Sequence, residues 1–274
     1  MKKDKIIVIG GNGFIGGYLV KELKRQGKNV YIFDKNSKNT LELEISGSSF
    51  VAYLASPDQN LLKNTLKVIS KEKNITFLYT STLLLYKEKK EAIKEDHKLS
   101  PATLYAKNKL KEEELIINFK KKYPKVNIII ARLANVYGDP KNKGFIGIVL
   151  EKILTKDNKK TFIINGDGTQ IRDYIFVDDV AKILARLLFS NLKFNIINVS
   201  TGIGTTLIQL IQYIEKITHK KLTYNFGSKI PEAYSLIGDK TKLSKFFKLT
   251  EQTPLLKGLL KTYKRYIIKL SSNK

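Results

Sequence analysis

Two residues, Tyr105 and Lys109, combine side-chain types and a spacing that suit proton transfer. They stand four positions apart in a segment with helical patterning, which puts both side chains on one face of a helix. A lysine ammonium next to a phenol favours the phenolate, so we expect a tyrosine pKa below its usual value of about 10. Such a phenol can exchange a proton with a hydroxyl group near neutral pH. Because Tyr-x-x-x-Lys arises easily by chance in a lysine-rich chain, the prediction depends on its surroundings.

Hydroxyl side chains at positions 80–82 provide that context. They follow an apolar run at residues 75–79 that predicts a buried strand. Ligands of an open parallel sheet bind beyond the carboxyl ends of its strands, where a hydroxyl can donate to a developing alkoxide. Thr82 is the candidate for this role. The alternative is an ordinary helix cap or turn, to which Ser and Thr are well suited.

A glycine turn near the start of the chain indicates a phosphate site. Glycines recur every third residue between a strand predicted at residues 6–9 and a helix predicted at 14–25. Glycine permits the tight turn, and the helix N-terminus presents N–H groups and the positive end of its dipole to a pyrophosphate. The predicted cofactor-binding residues of the turn are Gly10, Gly13, Phe14, Ile15 and Gly16.

Asp34 closes the strand predicted at residues 30–33 and bears on the choice of cofactor. Its carboxylate can accept hydrogen bonds from the adenosine ribose hydroxyls and repel a 2′-phosphate, which favours NAD over NADP. The neighbouring Lys35 could tolerate that phosphate, so NADP stays possible. Strand, turn, helix, second strand and terminal acid follow in order within the first 34 residues, which predicts a dinucleotide-binding unit rather than a plain structural turn.

The first half of the chain alternates short apolar runs with longer helical patterns, as the βαβ units of a parallel sheet do. Further strands are predicted at residues 50–54 and 126–130, with a long helix between about 101 and 122. From 35 to 49 the chain is polar and irregular, and only residues 41–45 show the alternation of a strand. We therefore expect an α/β fold with a Rossmann-type, doubly wound parallel sheet.

The second half is less regular and predicts a smaller C-terminal α/β lobe. Its patterning indicates strands at residues 161–164 and 195–199, and helices at 177–189, around 207–214 and after Pro254. The expected division is a mainly dinucleotide-binding domain at residues 1–160, which also includes about 172–200, and the smaller lobe with the C-terminal helices mainly at 161–274.

The composition is that of a globular protein with a strong excess of lysine. Its 50 Lys and Arg against 25 Asp and Glu give a formal net charge of +25. The lysines are dispersed rather than clustered on one face, which argues against nucleic-acid binding. No apolar run approaches the roughly 18 residues of a membrane span, and cysteine is absent. We expect a cytoplasmic protein with no membrane partner, no disulfide and no metal site.

Two further runs make a family resemblance recognisable. Residues 132–138 read Arg-Leu-Ala-Asn-Val-Tyr-Gly, and residues 166–180 read Gly-Asp-Gly-Thr-Gln-Ile-Arg-Asp-Tyr-Ile-Phe-Val-Asp-Asp-Val. Together with the glycine turn, the hydroxyl segment before Tyr86 and the Tyr-x-x-x-Lys pair, they span residues 5 to about 249. Over this length the chain resembles extended short-chain dehydrogenase/reductases of the NAD-dependent epimerase/dehydratase family, which includes UDP-glucose 4-epimerase and its nucleotide-sugar relatives.

The resemblance implies a role for each matching residue. Tyr105 would be the catalytic acid/base, Lys109 its activator and a ligand of the nicotinamide ribose, and Thr82 the hydroxyl partner at the reacting carbon. Asn135 and Arg172 would hold the nucleotide diphosphate of the substrate. A guanidinium grips phosphate oxygens in a fixed fork that lysine cannot copy, which suits an arginine at this position.

Acidic residues near Arg172 have structural interpretations. The alternative role for the arginine is a surface ion pair with Asp173 or Asp178. Asp178 and Asp179 are expected to cap the following helix rather than to take part in chemistry.

Several positions depart from the family pattern. Leu83 and Leu84 stand where the 4,6-dehydratase branch has an Asp-Glu pair, so the acid and base for water elimination are missing. Dehydratase activity is therefore not expected. Lys87 replaces a glycine, Tyr53 replaces a histidine, and Lys229 replaces an arginine near the nucleotide.

The function expected on these grounds is an NAD(P)-dependent enzyme that modifies a nucleotide sugar through a 4-keto species. A 4-epimerase is the first choice, and an NAD(P)H-dependent 4-ketoreductase of a nucleotide 4-keto-6-deoxy sugar is the alternative. A catalytically weak cofactor-binding protein is a third hypothesis, because residues 35–49 omit a helix that the family places beside the adenine. The resemblance also implies a homodimer that pairs the helices at about 59–71 and 101–122.

Overall fold

The structure is a computed structural model that describes residues 5–34, 37, 40–55, 57–72, 74–142, 144–155, 161–228, 233–246 and 252–272. The chain forms two compact units. The first unit comprises Met1–Leu85, Thr103–Leu133 and Val180–Val199, and the second comprises Tyr86–Ala102, Ala134–Asp179 and Ser200–Lys274. The functional division at about residue 160 stays a prediction.

In chain order the strands are β1 (Lys5–Ile9), β2 (Asn29–Phe33), β3 (Phe50–Tyr53), β4 (Thr76–Thr82), β5 (Asn127–Leu133), β6 (Asn135–Tyr137), β7 (Phe162–Asn165), β8 (Ile171–Phe176), β9 (Phe194–Val199), β10 (Gly204–Thr206), β11 (Tyr224–Gly227) and β12 (Ser235–Leu236). The helices are α1 (Phe14–Arg25), α2 (Leu41–Ile45), α3 (Gln59–Ile69), α4 (Leu104–Lys122), α5 (Phe145–Leu154), α6 (Val177–Leu188), α7 (Leu207–Thr218), α8 (Thr241–Phe246) and α9 (Leu255–Ser272). A 3-10 turn, Leu83–Leu85, follows β4.

A six-stranded parallel sheet in the order β2-β1-β3-β4-β5-β9 organises the first unit. The apolar residues of β1 and β5 are buried throughout, as expected for strands covered on both faces. Ile9 lies opposite Phe33 on one side and Tyr53 on the other, so three strands end at the same edge. The predicted α/β fold with a Rossmann-type parallel sheet is confirmed.

Helix α1 has the predicted bounds, because glycines mark both its start, at Gly13, and its end, at Gly27. Leu19 and Leu23 lie on its buried face. Gly27 has a φ of +70°, which favours glycine, and ends the helix.

The segment Leu41–Ile45 was predicted as strand-like, and this was wrong. It forms the short helix α2, at whose start Thr40 Oγ1 accepts a hydrogen bond from the Leu43 N–H at 3.4 Å. Leu41 and Ile45 are four residues apart, so both turn toward the apolar core. Alternation over five residues therefore did not distinguish a strand from one helical turn, and the segment 35–49 does contain a helix.

Two predicted boundaries near the candidate active site also need correction. Strand β4 continues to Thr82 instead of ending at Tyr79, because its backbone pairing with β5 extends to the pair Thr82–Leu133. This pairing does not require apolar side chains. Helix α4 begins at Leu104 rather than near residue 101. Its cap is Thr103, whose Oγ1 accepts a hydrogen bond from the Ala106 N–H at 3.2 Å.

The second unit is built around β8. This strand pairs with β10, β12 and β6, while β7 and β11 form a separate parallel pair. Helices α5, α7 and α9 supply apolar side chains to one core cluster with β6 and β8. The helix predicted after Pro254 is α9, whereas the strands β6, β8, β10, β11 and β12 and the helices α5 and α8 were not predicted.

A buried ion pair fixes α4 to the sheet. Arg132 of β5 donates to both carboxylate oxygens of Glu113, with Nε–Oε1 at 3.0 Å and Nη2–Oε2 at 2.6 Å. Both side chains are almost completely buried. The planar fork of arginine fits a carboxylate in this bidentate way, so the pair also sets the rotation of α4 about its axis.

We predict that Arg132→Leu lowers the free energy of unfolding by about 3–5 kcal/mol, because Glu113 is left as an unpaired buried charge. Urea denaturation followed by circular dichroism measures this change. Arg25→Leu is the matched control, since Arg25 also pairs with a glutamate but is exposed. An equal loss in both variants would contradict the importance assigned to the buried pair.

Candidate active site

The glycine turn lies between β1 and α1 and has little room for side chains. Gly10 has a φ of +81°, and a Cβ on it would lie 2.8 Å from the Ala55 nitrogen. A Cβ on Gly16 would collide with the carbonyl oxygen of Gly10. The Gly13 N–H donates to the same carbonyl at 3.0 Å, which closes the turn. The two glycine positions are therefore required by steric contacts within the turn itself.

The turn leads directly into the first turn of α1, where Phe14 and Ile15 are the first helical residues. Gly13 occupies the N-cap position, and among the residues that the structure describes no side chain caps this end or adds an acid to its first turn. The N–H groups and the positive end of the helix dipole are thus available to an anion. This arrangement fits the pyrophosphate of a dinucleotide.

Asp34 follows β2, and its carboxylate accepts a hydrogen bond from the glycine turn. The Asn12 side-chain amide donates to Asp34 Oδ2, and the Asp34 N–H donates to Ser37 Oγ at 2.9 Å. Asn12 was not among the predicted site residues, although it stands inside the glycine motif. Lys35, which kept NADP open in the sequence, lies outside the described residues.

Lys109 is buried, with 3% of its surface exposed. Its Nζ lies 3.1 Å from Tyr79 Oη, 3.0 Å from the Thr80 carbonyl oxygen and 3.4 Å from Glu112 Oε2. These contacts fix the ammonium at the carboxyl-terminal part of β4. Burial lowers the pKa of Lys109, and the negative charge of Glu112 opposes that decrease.

Glu112 and Tyr79 form the other side of this cluster, and neither was among the residues predicted from the sequence. Glu112 Oε2 accepts the Tyr79 hydroxyl at 2.6 Å, and Oε1 accepts the Asp58 N–H at 2.9 Å. Burial and the Glu112 charge raise the pKa of Tyr79 far above its usual range, so its hydroxyl stays protonated. The available signal was the three-residue spacing of Lys109 and Glu112, which puts them on one helix face.

Tyr105 is in the first turn of α4, and 46% of its surface is exposed. Partial burial of the phenol, followed by the Glu112 charge, raises its pKa. The predicted decrease was wrong, because the Lys109 ammonium contacts Tyr79, Thr80 and Glu112.

Thr82 is the last residue of β4, and its side chain also has the turn-forming role given above as the alternative. Its Oγ1 accepts a hydrogen bond from the Leu84 N–H at 3.2 Å at the start of the 3-10 turn. A threonine hydroxyl has a hydrogen to donate as well as lone pairs to accept with. The turn role and the expected donor role are therefore compatible.

Asn135 and Arg172 lie in the second unit on the neighbouring strands β6 and β8. Asn135 Nδ2 donates to the Asp173 carbonyl at 3.3 Å. Arg172 is mostly buried and donates through Nη1 to the carbonyl oxygens of Ile171 at 3.0 Å and Tyr234 at 3.2 Å. The strand pairing thus brings the two candidate diphosphate ligands into one region.

The acidic residues beside Arg172 have other hydrogen-bond partners. Asp173 accepts from Thr201 and Gly202, and Asp178 pairs with Arg265 at 2.9 Å. Asp178 and Asp179 lie within the first turn of α6, one and two residues after its start, so the expectation that they cap the helix was wrong. Their negative charge still suits this end of the helix dipole.

Comparison with known proteins identifies the family of this chain. Residues 6–55 and 52–200 match the NAD dependent epimerase/dehydratase family. The chain belongs to this family. A UDP-glucose 4-epimerase of Lactobacillus helveticus is 26% identical over 87% of this chain and 89% of the relative. An uncharacterized UDP-glucose epimerase of Bacillus subtilis is also 26% identical, over 93% of this chain and 95% of the relative.

A crystal structure of UDP-glucose 4-epimerase from Thermotoga maritima with UDP-glucose has the same fold, with a TM-score of 0.85. It is 24% identical, over 97% of this chain and 99% of that one. Family membership confirms the resemblance given above and makes the chain an NAD-dependent enzyme.

Four of the positions at which this family member departs from the family pattern lie within the described residues. Tyr53 is buried in β3, and its hydroxyl donates to the Asp58 carbonyl at 3.3 Å. Leu83 and Leu84 form the 3-10 turn after β4. The Lys87 N–H donates to the Lys98 carbonyl at 2.9 Å, and Lys229 lies outside the described residues.

Two kinds of site are not found in the described part of the chain. None of its helices is long and apolar enough to cross a membrane. No group of three or more His, Cys, Asp or Glu side chains within it could hold a metal ion.

We predict that Gly16→Ala reduces NADH affinity by at least about tenfold, because the added Cβ collides with Gly10 and displaces the pyrophosphate turn. Fluorescence titration with NADH measures the effect. Gly17→Ala is the control, since a Cβ there has 3.7 Å to its nearest neighbour, Gly11. Equal affinities in the two variants would contradict the assignment of the turn.

Proposed function

We propose that this epimerase/dehydratase is a UDP-sugar 4-epimerase that works through a 4-keto sugar. The observation that carries the proposal is the fixed position of Lys109 at the end of β4, on the same helix face as Tyr105. This edge of a parallel sheet is where ligands of such folds bind. The dispositions of Tyr105, Lys109 and Thr82 support proton transfer at a sugar hydroxyl there.

In the proposed reaction, Tyr105 takes the proton of the C4 hydroxyl as hydride leaves C4, which produces a 4-keto sugar. NAD, when bound, supplies the acceptor for this hydride and returns it. Taking the proton requires the phenolate, and because burial and the Glu112 charge raise the pKa of Tyr105, a larger fraction of the phenol is in this form as the pH rises. Thr82 donates to the C4 oxygen. When hydride returns to the opposite face of C4, Tyr105 gives the proton back, so the protein and the cofactor end unchanged.

Arg172 and Asn135 are proposed to hold the diphosphate of the nucleotide sugar. The arginine is kept in place by its contacts to two carbonyl oxygens, and five donors in a planar fork suit a diphosphate. A guanidinium held by backbone groups loses little conformational freedom when it binds phosphate. This binding group leaves the sugar free to turn over between the two hydride transfers.

Epimerisation is favoured over the other reactions of the family by two observations. Leu83 and Leu84 provide no acid or base for the elimination of water. The relatives from L. helveticus and B. subtilis are both named as UDP-glucose epimerases. The two alternative hypotheses, a 4-ketoreductase and a catalytically weak binding protein, are distinguished from the epimerase by the following test.

The proposal is tested by incubating the purified protein, supplemented with NAD, with UDP-glucose, UDP-N-acetylglucosamine and UDP-glucuronic acid. Chromatography should show conversion of at least one of these UDP-sugars to its C4 epimer, with no net change in the amounts of NAD and NADH. Oxidation of added NADH with a nucleotide 4-keto-6-deoxy sugar, without epimerisation, would instead support the reductase. No turnover of any of these substrates would contradict the proposal.

We predict that Tyr105→Phe reduces turnover by at least about 100-fold, because the proton acceptor is removed, while NADH affinity is retained. Tyr123→Phe is the matched control at the other end of α4. Its rate should equal that of the unaltered protein. A Tyr105→Phe variant of full activity would show that another group transfers the proton.

We further propose that the protein acts in the cytoplasm as a homodimer that pairs α3 and α4 with their copies. The support is the family resemblance, in which the equivalent helices pair. Light scattering in solution tests the assembly. A mass of one chain at all concentrations would contradict it.

A further inference from the structure

A buried carboxylate lies next to Lys109, and none of the steps proposed above uses it. Glu112 is fully buried and stands three residues after Lys109 on α4. Its two oxygens accept hydrogen bonds from the Asp58 N–H and the Tyr79 hydroxyl, which come from the start of α3 and from β4. The position of this charge is therefore set by three separate elements of the fold.

The hydrogen bonds around Lys109 have a defined direction. The Tyr79 hydroxyl donates its hydrogen to Glu112 at 2.6 Å, so its lone pairs remain for the Lys109 ammonium at 3.1 Å. An ammonium has three hydrogens, and the other two face the Thr80 carbonyl at 3.0 Å and Glu112 at 3.4 Å. The Glu112 contact is the longest of the three.

The charge of Glu112 matters because a buried ammonium is unstable alone. Burial favours the neutral amine, and a carboxylate within about 4 Å favours the ammonium. Glu113 contributes less, since Arg132 engages both of its oxygens. The titratable and charged groups that face this cluster are Tyr53 of β3, Tyr79 of β4, Asp58 before α3, Arg132 of β5, and Tyr105, Lys109, Glu112 and Glu113 of α4.

We propose that Glu112 is a positioning residue that keeps Lys109 in its ammonium form at the end of β4, where the lysine binds the nicotinamide ribose. The inference rests on the proposed function and on the role that the family resemblance implies for Lys109, a ligand of the nicotinamide ribose. The Tyr79 hydroxyl connects the two groups, because it donates to the Glu112 carboxylate and accepts from the Lys109 ammonium. A neutral Lys109 amine would have fewer hydrogens to donate and no charge, so cofactor affinity should depend on Glu112 where the lysine can lose its proton.

The test is the pH dependence of NADH binding, measured by fluorescence titration between about pH 6 and pH 10. Glu112→Gln keeps the size and an accepting oxygen but removes the charge. At about pH 6 its affinity should be within about twofold of the unaltered protein, because acid pH favours the ammonium in both. At about pH 9 it should be at least about tenfold weaker, because without the carboxylate the burial of Lys109 favours the neutral amine.

Two further variants separate positioning from a purely structural effect. Glu112→Asp retains the charge, so it should recover part of the affinity at about pH 9, and it provides the test if Glu112→Gln does not fold. Glu113→Gln is the matched control at the next position, since it is buried in the same helix. It should lower the melting temperature without changing the shape of the pH profile.

Several results would overturn the inference. These are a loss of affinity in Glu112→Gln that is equal at every pH, no loss at all, an Asp variant no better than the Gln variant, or a Glu113→Gln profile with the same shift. The measurement needs no sugar substrate, so it stays valid if the epimerase proposal fails. If Lys109→Met binds NADH as well as the unaltered protein at every pH, the role of Lys109 itself fails.

Discussion

The burial of charge beneath α4 is the constraint on which the candidate active site depends. The buried face of this helix contains Lys109, Glu112 and Glu113 in addition to the apolar Ala106 and Ile116. Removing such charges from water costs several kcal/mol each, and only well-aligned partners offset this. The helix is therefore stable in essentially one rotation and one register, in which Lys109 meets β4 and Glu113 meets Arg132.

That constraint has a direct consequence for chemistry at the sheet edge. Lys109 is attached to the backbone of β4 at Thr80, two residues before the end of the strand. The glycine turn follows the end of β1, which belongs to the same parallel sheet. Both features lie toward the carboxyl ends of their strands, so one edge of one sheet carries the proposed phosphate-binding turn and the proposed proton-transfer residues.

The sequence predicted the features that depend on local rules. Helix α1 was found with its bounds because glycines mark both ends and leucines mark its buried face. The sheet was predicted because buried parallel strands are continuous apolar runs. The end of β4 was missed because its backbone pairing with β5 continues through hydroxyl residues. Helix α2 was mistaken for a strand because a five-residue segment can fit both the two-residue period of a strand and the 3.6-residue period of a helix.

Other features depend on contacts between distant segments and were not predictable. Glu112 was missed because charged residues on the buried face of α4 hide its helical periodicity, while its partners Tyr79 and Asp58 come from elsewhere in the chain. For the same reason the pKa of Tyr105 was predicted to change in the wrong direction. The sequence showed the lysine four residues away but neither the burial of the phenol, which is the main cause of the raised tyrosine pKa, nor the approach of the Glu112 carboxylate.

The fate of hydrogen at C4 tests the central claim, reversible oxidation at that carbon, most directly. The UDP-sugar that the protein converts, carrying deuterium at C4, would be incubated with the protein and NAD, and the product would be analysed by proton NMR and mass spectrometry. We expect the C4 epimer with deuterium retained at C4 and no accumulation of reduced cofactor. A product with hydrogen at C4, or deuterium trapped in the cofactor pool, would contradict it.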